Sequence, residues 1–205
     1  GWLGYRLPDA NTIGTQPDQL EFVTSKAAAW DCPVSIHADP QTMAKHPRTA
    51  DNLEVLRRWE EVRARRWLTE EQKQALRNPD REFILLLNEQ NELELVPYDP
   101  IVNVAGGSKE VLAFTFEHNH DPYVVYWHIS GDKELELPMK PGALTLMSSI
   151  GSELQVQPGA DGNSTILPVG NRRYVKAHQA SKDELIAAFK NARIVEKAAH
   201  PDKVK

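Results

Sequence analysis

The sequence predicts a mixed α and β fold, in which a helical N-terminal segment containing short strands precedes an antiparallel β-sandwich closed by a terminal helix. Three observations carry this. Between Gln16 and Trp30 apolar residues recur at helical spacing, and soon afterwards the period is lost in the β-rich Val34-Ser35-Ile36. From about residue 83 the pattern becomes that of many short strands between Gly/Pro turns, the mark of an antiparallel sandwich. Finally, Ser181-Lys182-Asp183-Glu184 is a capping box in front of another helical apolar pattern.

Taken in order, Trp2 to Arg6 suits a strand, and Leu7-Pro8-Asp9-Ala10-Asn11-Thr12 supplies loop chemistry. A helix over 16–30 follows, with Thr15 as its cap, Pro17 in the first turn and Asp18 favouring the positive end of the helix dipole. Its apolar face is expected at Leu20, Val23, Ala27 and Trp30, and a short buried strand over 33–37 comes next. A helix followed by a strand with polar residues at its end is the half-unit of parallel sheets and barrels.

Pro40 to Arg48 reads as a loop, and Thr49 as the cap of a helix over 50–67 with Leu53, Val55, Leu56, Trp59, Val62 and Trp67 apolar. The charges between them, Arg57 and Arg58 included, read as a solvated face with pairs such as Glu54–Arg58 and Glu61–Arg65. Thr69-Glu70-Glu71-Gln72 is a capping box for a short helix ending near Arg77. A hairpin is expected from 83–87 and 93–96, with Tyr98 to Val104 as a connection that can add a strand. Strands then follow at 110–117, 123–130, 133–137, 143–148, 153–157, 164–168 and 172–177. The terminal helix carries Leu185, Ala188, Phe189 and Ala192 on one side. The expected division is 1–78, 79–195 and a loose charged tail over 196–205.

With 205 residues, 40% hydrophobic and 26% charged, the chain can bury an ordinary core. A formal net charge of -5 leaves no basic footprint for nucleic acid or an anionic membrane. No apolar run approaches the ~20 residues of a membrane span, and the N-terminus lacks the layout of a signal peptide. The single cysteine, Cys32, is expected as a small core residue. The chain begins without a methionine and inside an expected strand, so a piece of a longer protein is expected, periplasmic or secreted where the precursor carries a signal peptide.

Several phrases resemble a known family. They are Pro17-Asp18-Gln19-Leu20-Glu21-Phe22 with Lys26-Ala27-Ala28-Ala29-Trp30-Asp31, then Pro33-Val34-Ser35-Ile36, then His46-Pro47-Arg48-Thr49 ahead of Arg58-Trp59-Glu60. Val124-Val125-Tyr126-Trp127-His128 and Leu167-Pro168-Val169-Gly170-Asn171-Arg172-Arg173-Tyr174 are similar to the accessory sandwich of fucosidase-like enzymes. The chain thus resembles the end of a barrel glycoside hydrolase, its last two βα units of a (β/α)8 barrel followed by the C-terminal β-sandwich. The resemblance implies a carbohydrate substrate, no cofactor and a sandwich that supports the barrel. Hydrolysis needs two carboxyl groups, roughly 5–5.5 Å apart for retention or ~6.5–9.5 Å for inversion. The resemblance places them on middle strands outside this chain, which leaves its catalytic residues unknown.

Candidate substrate-binding residues are His37 and Asp39 at the end of the second strand, with Arg6 and Asp9 at the end of the first. His37 and Asp39 either meet sugar hydroxyls or cap the strand and serve the following loop. His118-Asn119-His120-Asp121, with His128, suggests a metal site only if the fold brings a third ligand; a turn is the plainer reading, and no metal is assigned. Tyr126 and Trp127 alternate, so one is expected in the core and the other outward, where an aromatic can stack on a sugar. The alternative to a hydrolase is a non-catalytic carbohydrate- or protein-binding sandwich with an aromatic platform around Trp127. Gly106-Gly107-Ser108-Lys109 lacks phosphate-loop spacing, Ser148, Ser149 and Ser152 lack a nucleophile-elbow context, and Asn163-Ser164-Thr165 is a sequon.

Overall fold

The computed structural model describes residues 2–88 and 90–197. From residue 198 onward the expected tail lies outside the described residues. The N-terminal part holds β1 (Trp2–Gly4), α1 (Pro17–Ala29), β2 (Ser35–His37), α2 (Pro40–Lys45), α3 (Thr49–Ala64) and α4 (Glu70–Arg77). Next come β3 (Glu82–Leu87), β4 (Leu93–Pro100), β5 (Val111–His118), β6 (Asp121–His128), β7 (Lys133–Leu137), β8 (Leu144–Ser148) and β9 (Glu153–Leu154). The last are β10 (Gln157–Pro158), β11 (Thr165–Val169), β12 (Arg173–Ala177), α5 (Lys182–Lys190) and β13 (Arg193–Val195).

The fold is mixed α+β with antiparallel sheets. β1 and β2 form a parallel pair, β10-β11-β7-β13 a four-stranded sheet and β3-β4-β5-β6-β12-β8-β9 a seven-stranded one. The two larger sheets face each other across one core. Val124, Tyr126, Leu146 and Val175 meet Leu135, Leu137, Leu167 and Val169, and α5 adds Leu185 and Phe189. On its other face the long sheet curls, because β4 pairs with β3 along most of its length, whereas its ladder with β5 is short, at Asp99↔Thr115 and Pro100↔Phe114. The β3–β4 hairpin therefore folds over its own sheet and encloses a second core with Phe114, Phe116, Tyr123, Val125, Trp127 and Tyr174. A third core joins the outer face of the hairpin, through Phe83 and Leu85, to Leu20, Ala28, Val55, Trp59 and Leu76 of the helices.

Local chemistry explains several departures from the expectations. Pro40–Lys45 is helical where a loop was expected: Asp39 accepts from the amide of Thr42, and Pro40 sits where its missing N–H costs nothing. Gln16, not Thr15, caps α1, and Thr49 is the first residue of α3. Tyr126 and Trp127 are both fully buried, because the strand that carries them has a core on each side. Cys32 is exposed in the turn after α1 and is not a core residue. Trp30 is 64% exposed, with the Arg77 guanidinium 4.3 Å from its ring centre. Arg58 is 2% exposed, whereas it was expected on the solvated face. The expected strand over 153–157 divides into β9 and β10, and β13 adds an unforeseen edge to β7.

Candidate functional site

The parallel pair is built by α1 and the loop before it. The Thr15 hydroxyl accepts from the Arg6 amide at 2.9 Å and donates to the Gly4 carbonyl at 3.3 Å, tying the start of α1 to the end of β1. Gly14 has φ +69°, and a Cβ there would lie 2.4 Å from the Pro8 nitrogen, so the loop closes this tightly only with glycine. β1 and β2 register as Trp2↔Ser35, Leu3↔Ile36 and Gly4↔His37, and the Tyr5 amide continues the ladder to the His37 carbonyl at 2.9 Å.

Alternation then sorts the side chains. Leu3 and Ile36 pack toward the helices, and the Tyr5 hydroxyl lies 2.8 Å from Thr49 Oγ1 and accepts from Asn52 Nδ2 at 2.9 Å. Ser35 and His37 occupy the opposite face and are exposed, and a Cβ on Gly4 would meet nothing within 4 Å. Among the described residues neither edge of this pair carries a further strand.

Of the four residues singled out from sequence, His37 ends β2 and Arg6 follows the end of β1, and both are exposed. Asp9 closes its own loop, accepting from the amides of Asn11 at 2.7 Å and Thr12 at 3.1 Å. Asp39 caps α2, and the hydroxyl and amide of Thr42 hold its carboxyl below the usual carboxylate range.

His118, Asn119, His120 and Asp121 form the β5–β6 hairpin turn, with Asn119 and His120 both at positive φ. His118 Nε2 lies 2.7 Å from Glu94 Oε2. Among the described residues no group of three or more His, Cys, Asp or Glu is arranged to hold a metal ion. No helix among them is long and apolar enough to cross a membrane.

No family model matches this sequence, and no curated protein does.

The polar residues that sequence reasoning missed lie beneath the parallel pair, where the helices meet the sandwich. Glu21 is 1% exposed; it accepts from Trp59 Nε1 and pairs with Arg172 at 2.7 Å. The Arg172 amide donates to Asp51 at 3.0 Å, and Arg48 donates to Asn171 at 2.9 Å. Gln16 accepts from Trp127 Nε1 at 3.0 Å and donates to the Ile129 carbonyl at 3.1 Å. Arg58 reaches the carbonyls of Leu85 and Ser149. Burial raises the Asp51 carboxyl, and it raises Asp18, at the start of α1, to about 6. One signal did exist: Thr24, Ser25, Ala28 and Ala29 are small, and they give α1 a face on which a long buried side chain such as Glu21 has room.

Proposed function

We propose that this chain is the C-terminal region of a carbohydrate-active glycoside hydrolase, in which β1–α1–β2 contributes to a sugar pocket and the sandwich supports it. One observation carries the reading: the parallel pair has helices on one face and exposes Ser35 and His37 on the other, and among the described residues no further strand pairs with either of its edges. Parallel strands are otherwise found with both faces covered, and a two-stranded sheet is at best marginal alone. Further βα units alongside would turn that exposed face into a barrel interior, with the C-terminal strand ends at its active rim. His37 and Arg6 then offer donors to sugar hydroxyls, while Asp9 and Asp39 shape the loops beside them. The carboxylate pair would come from strands outside this chain.

The sandwich suits a supporting role. Its contact with the helices is a shared core laced with buried hydrogen-bonded charges, which fixes orientation more than it attracts a ligand. The rival reading, a binding module with an exposed aromatic platform at Trp127, loses that platform, since Trp127 is fully buried.

The test is to read the open reading frame around this sequence, express its whole product and assay aryl glycosides with His37→Ala beside the parent. Upstream βα units, with kcat/KM reduced roughly tenfold to a hundredfold by losing one hydrogen bond to substrate, support the proposal. A frame without such units, or a variant with unchanged kcat/KM, overturns it.

A further inference from the structure

The core enclosed by the curled sheet has two ends. At one, Trp127, Tyr98 and Tyr174 lie beneath α1, with Gln16 bonded to Trp127 and the Arg172 guanidinium 5.7 Å from the Tyr174 ring centre. That end is closed. At the other end Leu86, Tyr123 and Met147 form the floor of a cleft of about 420 Å³. Its size lies within the ~300–1,000 Å³ of small-molecule sites, which favour the mouths of barrel-like sheets.

The cleft exists because β4 and β5 part company. They pair at Asp99 and Pro100, and nearer the mouth the side chains of His118 and Glu94 bridge the gap. Asn88 Nδ2 donates to the other Glu94 oxygen at 2.6 Å, so the carboxylate is fixed from both sides and held below the usual range. On the facing wall Lys176 pairs with Asp121 at 2.6 Å, with its ammonium 5.8 Å from the Tyr123 ring centre. His178 Nε2 lies 2.7 Å from Thr145 Oγ1.

We propose that this mouth is a second binding site, separate from the parallel pair, for a neutral polyhydroxylated ring, a saccharide unit. The pairing pattern decides the class. Lys176 and His118 each already face a carboxylate, so the walls hold little uncompensated positive charge for an anion. The same groups keep spare capacity: a carboxylate has about four lone-pair sites, an ammonium three donors and a hydroxyl both functions. Alternating donors and acceptors around an apolar floor match a pyranose ring, which has hydroxyls around its rim and C–H groups on its faces. The site does not depend on a barrel, so it stands or falls apart from the hydrolase reading.

The experiment is a titration of the ¹⁵N-labelled chain with methyl α-L-fucoside, methyl β-D-galactoside and methyl β-D-glucoside in turn, followed by amide chemical shifts. The expected result is saturable millimolar binding of at least one glycoside, with shifts at Asn119, Tyr123, Gly151 and His178 and none at Gly4 or His37. Glu94→Gln and Lys176→Met should each weaken it about tenfold, the effect of one well-placed polar contact, with unchanged melting temperature. Saturation by none of the three overturns the proposal, as does tighter binding of inorganic phosphate at the same amides. Shifts confined to Gly4 and His37 overturn it too, while supporting the separate site on the parallel pair.

Discussion

Arg172 Nη1 lies 2.7 Å from Glu21 Oε1, and both side chains are shut away from water although 151 positions separate them in the chain. One is on α1 and the other just ahead of β12, so this pair holds the helices to the sandwich. The Glu21 carboxylate is also bonded by Trp59, and the Arg172 backbone amide by Asp51. The carboxylate therefore has more than a Coulombic partner, while the Arg172 guanidinium, whose Nε has no hydrogen-bond partner among the described residues, lies 5.9 Å from the Trp127 ring centre and 5.7 Å from that of Tyr174, so the pair is held by its geometry and costly to break.

Removing only one member should be severe. Glu21→Ala leaves Arg172 buried without its partner and is expected to cost roughly 3–5 kcal/mol in denaturant unfolding. Replacing both, as Glu21→Leu with Arg172→Met, should recover most of that loss. A double variant no more stable than Glu21→Ala would show that the pair is not the source of the cost.

Asp18 makes the junction sensitive to pH. Its Oδ1 is enclosed with no hydrogen-bond partner, and burial raises the carboxyl from 3.8 to about 6. Because the folded-state value is the higher one, the folded chain holds its proton more tightly than the unfolded chain. Stability from this group is therefore full below about pH 4 and is lost as pH rises to about 6, by up to about 3 kcal/mol. Asp18→Asn should remove that loss: its stability should match the parent near pH 4 and exceed it near pH 7. Parallel stability–pH curves for parent and variant would refute the assignment.

The parts of the fold legible in the sequence are those governed by neighbours along the chain. Thr69–Gln72 and Ser181–Glu184 both form the reciprocal capping boxes expected of them, and β3 and β4 pair as the hairpin expected from 83–87 and 93–96. The end of β2 at His37 was equally local. What was illegible depends on partners far away. Nothing near Arg58 announces that it reaches the carbonyls of Leu85 and Ser149, and nothing near Trp127 announces a hairpin folding over it. α1 misled for the same reason: its inward face is Leu20, Glu21, Thr24, Ser25 and Ala28, and a polar partner makes that face favourable where periodicity alone chose Val23 and Trp30. Asp39-Pro40 is the exception, a local helix signal that was overlooked.

Gly14→Ala tests the loop that aligns β1 with α1. At φ +69° an alanine is strained by about 1–2 kcal/mol before any clash, and its Cβ would approach the backbone of Pro8, Arg6 and Leu7 within 2.7 Å. Backbone cannot rotate away as a side chain can, so the strand and the helix start must separate. The expected result is a larger loss than the strain alone, with faster amide exchange at Arg6 and Thr15. Ordinary exchange and an unchanged melting temperature would mean that the loop is not tightly closed.

Gln16 serves both sides of the junction from a helix cap. Its Oε1 accepts from Trp127 Nε1 at 3.0 Å, and its Nε2 donates to the carbonyls of Ile13 at 2.5 Å and Ile129 at 3.1 Å. Gln16→Ala leaves a fully buried indole N–H without a partner, at an expected cost of about 1–3 kcal/mol. Gln16→Glu keeps an acceptor for the indole but turns a donor into a second acceptor facing two carbonyls, so it should do no better. Trp127→Phe, which removes the donor at some cost in packing, should then make Gln16→Ala nearly neutral in its background. If the two losses instead add in the double variant, the hydrogen bond does not couple the helix to the sandwich.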